Sequence, residues 1–202
     1  MSYRQLNIGS KFPLIKKLIE RLEDHYLRDV HTMLRLPIPD CSLPAGCNFA
    51  IAQTLLATIA GVSSTLYPRN GTDYEKFKTL LKDYYPWKHE PTNPIMADDA
   101  ASILYGTFRN PLVHDIGLDL KQRSKTQNVI IERMVTISGF PEETIEQIEY
   151  TSKRYQMPAT ITRRDDATVL LVEALYWGTR CMIENLVAKC SSLEQAESML
   201  ML

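Results

Sequence analysis

Between Phe12 and about Leu36, the apolar positions Phe12, Ile15, Ile19, Leu22, Tyr26, Val30 and Met33 return every three or four residues, with Lys, Glu and Asp between them. That spacing predicts a helix burying one stripe, and Pro13 suits its first turn. Pro37–Asp40 and Pro44–Gly46 read as a loop. From Cys47 to Leu66 the chain is apolar almost all round, which predicts the buried central helix of a bundle, ended by Pro68-Arg69-Asn70-Gly71. Thr72-Asp73-Tyr74-Glu75 has the form of a capping box, in which the Thr side chain covers backbone donors and Glu three residues on reaches back. The helix behind it carries Tyr74, Phe77, Leu80, Leu81 and Tyr84 on one side. After a Pro-rich loop to Pro94, Asp98 or Asp99 is expected to cap an amphipathic helix with Ala100, Ile103, Leu104 and Phe108 inward.

Past His114 the period changes. Val129–Ile137 is rich in β-branched residues and reads as a strand, Pro141 opens a short helix to about Tyr150, and Ala159–Thr162 reads as a second short strand. Ala167–Lys189 reads as one long helix with Val169, Val172, Leu175, Tyr176, Met182, Leu186 and Val187 on its apolar side, and Ser191–Glu194 as a cap before a short amphipathic tail. No internal repeat is visible. The pattern predicts a single domain over residues 1–202, mainly α: a helical bundle with a minor β element around 128–163, a β-hairpin-type insertion between the last two long helices.

Composition narrows the function. The 202 residues are 45% hydrophobic and 23% charged, enough apolar material for a real core. A net charge of −1, from 23 basic and 24 acidic residues, argues against a protein that coats nucleic acid by bulk electrostatics and leaves room for a local basic patch. The opening Met1–Asn7 is polar, and the longest apolar run, Phe49 to Val62, contains Gln53 and Thr54 and falls short of the roughly 18 apolar residues of a spanning helix. A cytoplasmic protein without membrane contact is expected. Cys41, Cys47, Cys181 and Cys190 lack zinc-type spacing and read as free thiols. No Gly-rich phosphate loop, Ser/His/Asp arrangement or metal-type carboxylate cluster is apparent, so neither cofactor nor metal is expected.

The chemistry concentrates in Arg109-Asn110-Pro111-Leu112-Val113-His114, where an apolar helix meets a polar loop. Arginine is a permanent, fork-shaped cation able to grip a phosphate through two parallel hydrogen bonds. Histidine both takes and gives a proton near neutrality. Asn110 can orient His114 or hold a phosphate oxygen. On an ideal helix, positions 109 and 114 lie about 140° apart around the axis. Pro111, lacking an N–H, predicts a break or kink that changes how they face each other.

The order R-N-x-x-x-H resembles the signature of the HEPN superfamily, helical domains that include many metal-independent RNases. The resemblance runs from about Cys47 to Leu120: a buried helix, a loop, the segment F-x-x-L-L-x-x-Y-Y-P (Phe77–Pro86), then L-Y-x-x-F-R-N-P-L-V-H (Leu104–His114). It implies a metal-independent endoribonuclease in a toxin–antitoxin or phage-defence setting, with RNA as substrate and an antitoxin protein as a possible partner. Arg109 would bind phosphate, His114 would handle protons and Asn110 would orient them. One histidine cannot fill both proton roles at once, so the resemblance also implies a homodimer that brings two Arg/His pairs into one cleft. Non-catalytic HEPN modules that bind a protein or nucleotide partner are the alternative. Lys121, Arg123 and Lys125 follow directly and form either a phosphate-facing, substrate-binding rim or a solvated loop. His25 and His31 read as surface or half-buried residues. Trp87 and His89 sit in a loop whose aromatic side chain either stacks a base or folds back on the core.

Overall fold

The structure, a computed structural model, describes residues 13–36, 47–68, 71–87, 94–114, 128–133 and 159–189. Its helices are α1 (Pro13–Leu22), α2 (Arg28–Arg35), α3 (Asn48–Leu66), α4 (Asp73–Tyr84), α5 (Ala97–Ile103), α6 (Asn110–His114) and α7 (Val172–Lys189). Two π-helical segments, Glu23–Leu27 and Leu104–Arg109, join α1 to α2 and α5 to α6 without leaving helical backbone angles. The strands are β1 (Asn128–Glu132), β2 (Ile161–Arg164) and β3 (Ala167–Leu171). The protein is therefore mainly helical with a small sheet.

The core forms where α3 meets its neighbours. Ile51, Leu55, Leu56 and Ile59 of α3 are fully buried with Leu27, Phe77, Leu80, Leu81, Leu104, Phe108, Leu175, Tyr176 and Met182. Each such aliphatic side chain contributes about 1.5–3 kcal/mol by leaving water. The all-round burial expected of α3 is not what the structure has: Phe49, Ala50, Gln53, Ala57 and Gly61 form an exposed side. This helix also proves long and apolar enough, by length and composition, to cross a bilayer, although half of it is packed inside the protein. At Thr72 the capping box forms as read. The Thr72 hydroxyl accepts from the Glu75 N–H at 3.3 Å, and the Thr72 N–H donates to the Glu75 carboxylate at 2.6 Å.

The β element is larger than a hairpin. Ala167–Leu171 is a strand, not the first turns of the long helix, and α7 starts directly behind it. The sheet order is β1-β3-β2, with β1 parallel and β2 antiparallel to β3. Being central, β3 is buried on both faces, so A-T-V-L-L reads as a continuous apolar run that length alone cannot separate from helix. Its hairpin to β2 turns through Asp165, whose φ of 52° is left-handed, a conformation Asp tolerates. Asp98 and Asp99 do not cap α5. The residue before the helix is Met96, which has no side-chain cap, and the two aspartates lie inside the first turn, where negative charge suits the helix dipole.

Helix C-termini leave carbonyls without helical partners, and in this fold distant side chains supply the donors. Arg133, just past β1, donates to Met33 O (2.6 Å) and Leu36 O (3.1 Å) at the end of α2. Asn185 of α7 donates to Tyr84 O (3.0 Å), and the Trp87 indole to Leu81 O (2.9 Å), at the end of α4. Gln53 of α3 donates to Leu112 O (3.1 Å) in α6. Tyr85 fastens α4 to the sheet and α7 through Thr160 Oγ1 (2.7 Å) and Ala174 O (3.3 Å). Its phenol lies against Gly178, where any Cβ would collide with it, and burial pushes its proton affinity up.

Candidate functional site

The motif helix runs from Ala97 to His114 without interruption. The break expected at Pro111 is absent because the π segment comes first. The Asn110 N–H reaches back five residues to Tyr105 O, the wide turn takes up an extra residue, and the chain passes helically through Pro111. Such single π turns inside α-helices often mark functional positions. Pro111 and Leu112 are buried. Since the helix continues, positions 109 and 114 stay on different sides of one rod, about 140° apart around its axis.

Arg109 ends the π segment and is half-buried. One terminal nitrogen donates to Asn110 Oδ1 at 2.9 Å, and the guanidinium carbon lies 5.1 Å from the ring centroid of Tyr105, a cation–π arrangement. Tyr105 is in turn set edge-on to Tyr74 and Phe77, each at 5.2 Å. The Tyr74 hydroxyl is 2.8 Å from that of Ser102, which donates to Asp98 O one turn below. Lys78 and Lys82 pair with Asp98 across the same α4–α5 seam (3.4 and 3.7 Å). An aromatic and polar lattice on α4 and α5 thus orients Arg109.

The structure brings Arg109 and Asn110 together. For His114 it gives the helical backbone at the end of α6, and the imidazole lies outside what is described. Lys121, Arg123, Lys125, His89, Cys41 and Cys190 also lie outside the described residues. Of the remaining candidates, His25 is exposed, whereas His31 is buried, its ring centroid 6.2 Å from that of Tyr176. Trp87 folds back, half-buried, with its ring centroid 4.5 Å from that of Tyr85. Cys47 and Cys181 are free thiols. Among the described residues no group of three or more His, Cys, Asp or Glu could hold a metal.

Sequence reasoning missed a second polar region. Glu23, His31, Arg133, Glu173 and Arg180 are all buried, with Glu173 only 1% and Arg133 3% exposed. Burial lowers the proton affinity of Arg133, and the negative charge of Glu173 opposes that shift. Arg180 donates to the Tyr176 hydroxyl at 3.2 Å and lies over the Tyr176 and Trp177 rings at 5.8 and 5.5 Å. The donors of Arg133 go to the end of α2, so its work is structural. Also missed were Tyr105, whose signal is its place four residues before Arg109, and Gln53, whose signal is an amide inside an apolar run. Comparison with known proteins finds no match to this chain, whether among family models, curated proteins or solved structures.

Proposed function

We propose that the protein is a metal-independent endoribonuclease of HEPN type that works as a homodimer, with RNA as its substrate. The observation that carries this reading is Arg109, half-buried at the end of a π turn and pre-oriented by the Asn110 amide and the Tyr105 ring. A fork held in advance needs little reorganisation to meet charge developing on a phosphate. In this reading Arg109 stabilises the extra charge on phosphorus, His114 moves the proton of the ribose 2′-hydroxyl or of the leaving oxygen, and Asn110 orients Arg109. Lys121, Arg123 and Lys125 would hold flanking phosphates. The separation of positions 109 and 114 around one helix favours a site whose halves come from two chains. The surface of α3 supports the same assembly. None of its 19 residues is charged, its exposed side includes Phe49, Ala50, Ala57 and Gly61, and exposed Gly106 lies on the motif helix that packs against it. A toxin–antitoxin or phage-defence role, with an antitoxin protein as partner, belongs to the same proposal.

One observation favours a second reading. The Arg109–Asn110 bond and the Tyr105 ring also serve an arginine that merely fixes its own helix end, as in a non-catalytic module that binds a protein or nucleotide partner. Incubating the purified protein with mixed RNA in EDTA separates the two. The nuclease reading expects cleavage that His114→Ala abolishes, with DNA left intact because it lacks the 2′-hydroxyl nucleophile. Inert wild-type protein selects the binding module.

A further inference from the structure

Five polar side chains of α3 make hydrogen bonds of two kinds. Thr58, Ser63 and Thr65 turn back onto carbonyls of their own helix, at Thr54, Ala60 and Gly61. Asn48 and Gln53 reach across to other elements, Asn48 to Ile131 O in β1 at 3.4 Å and Gln53 to Leu112 O in α6 at 3.1 Å. Gln53 is surface-exposed, so its single hydrogen bond is worth at most about 1 kcal/mol to the fold. Its position gives it a different importance. Leu112 stands two residues before His114 in the last turn of the motif helix, where the final carbonyls have no partner within the helix and Pro111 has no N–H to add to the ladder. The amide of Gln53 supplies a fastening from outside, on the rigid core helix α3.

We propose that Gln53 is a positioning residue for His114: by holding Leu112 O, it fixes the short turn that carries the histidine relative to Arg109. The proposal rests on the ribonuclease reading above.

The test uses the full-length protein and two variants of similar size, Gln53→Leu and Gln53→Glu, neither able to donate at neutral pH. Deuterium exchange reads the turn directly, and cleavage of a single-stranded oligoribonucleotide in EDTA reads its consequence. The expected result is exchange over Asn110–His114 faster by up to about fivefold in both variants, with α4 unchanged. With it, kcat should fall by up to about fivefold at unchanged KM, with the thermal midpoint moved by no more than about 2–4 °C, the size expected for one net hydrogen bond. As the carboxyl introduced by Gln53→Glu takes up a proton below about pH 5 it regains a donor, so that variant should recover relative to Gln53→Leu there. A purely structural residue would show no such separation. Unchanged exchange overturns the clamp itself. Wild-type and variant proteins cleaving equally well overturn the positioning role and leave the ribonuclease reading standing. A wild type that cleaves no RNA removes both.

Discussion

Arg133 and Arg109 each stand at the end of an element, and each directs its guanidinium at an oxygen and has further partners nearby. Arg133 is 3% exposed, binds the carbonyls of Met33 and Leu36, and has the buried carboxylate of Glu173 for electrostatic company. Arg109 is half-exposed, binds a neighbouring amide, and lies on an aromatic ring. In the first environment the charge is locked in a dry interior by backbone acceptors at the end of α2. In the second it is held by a side-chain amide and an aromatic face, at a position that water reaches. The same side chain is a buried rivet in one place and a water-accessible, pre-oriented fork in the other. What separates the two settings is access to water and the kind of acceptor, and both follow from the fold.

The largest effect is expected at the rivet. Arg133→Met should destabilise the protein by about 3–5 kcal/mol, because it removes two hydrogen bonds from a buried cation, each worth about 1.5–3 kcal/mol, read as a lower urea midpoint. Adding Glu173→Gln should restore part of the loss; a single variant as stable as wild type would make the two arginines equivalent. Arg109→Ala should leave the urea midpoint nearly unmoved and lower RNA turnover about 10²–10³-fold, as removal of a charge-stabilising donor does. Arg109→Lys should recover little of that, and Tyr105→Phe, which keeps the ring, should fall less than Tyr105→Leu. The smallest effect belongs to a clamp that is local in sequence. Thr72→Ala should cost about 1 kcal/mol. The Thr72 N–H, and secondarily its hydroxyl, hold the Glu75 carboxyl below its ordinary value of 4.5. Its contribution is therefore complete above that value and is lost as pH falls through the lower folded value. Glu75→Gln should flatten that acid limb in a pH series of thermal midpoints.

Those clamps also mark what the sequence could disclose. Thr72 and Glu75 are three residues apart, so their motif could be read from the chain and forms as read. The first helical stretch was equally plain, because it buries one stripe at helical spacing, whereas the nearly all-apolar α3 hid which of its sides would face water. Ala167–Leu171 misled because a central strand buried on both faces loses the alternation that identifies strands. Asp98 and Asp99 were recognisable as residues of a helix start, but Met96 opens the helix with no side-chain cap, and they work through charge from inside the first turn. The order Arg109-Asn110 could be read from the chain, and their hydrogen bond could not. The π segment that carries the helix through Pro111 could not, since it depends on how the whole rod packs. Nothing near Met33 announces Arg133, whose bond spans 100 residues.

Those spans have a kinetic consequence. The closing donors of α2, α4 and α6 come from 100, 101 and 59 residues away. A helix whose last turn waits for a remote side chain frays until that partner arrives, and bringing such partners together costs loop-closure entropy before any contact rewards it. During synthesis α2 and α4 emerge well before Arg133 and Asn185 do, so their ends stay open while the ribosome makes the rest. The protein should therefore acquire its native helix termini late and together, once β1 and α7 have docked. A nascent chain stopped before Val172 would carry helices but no finished bundle.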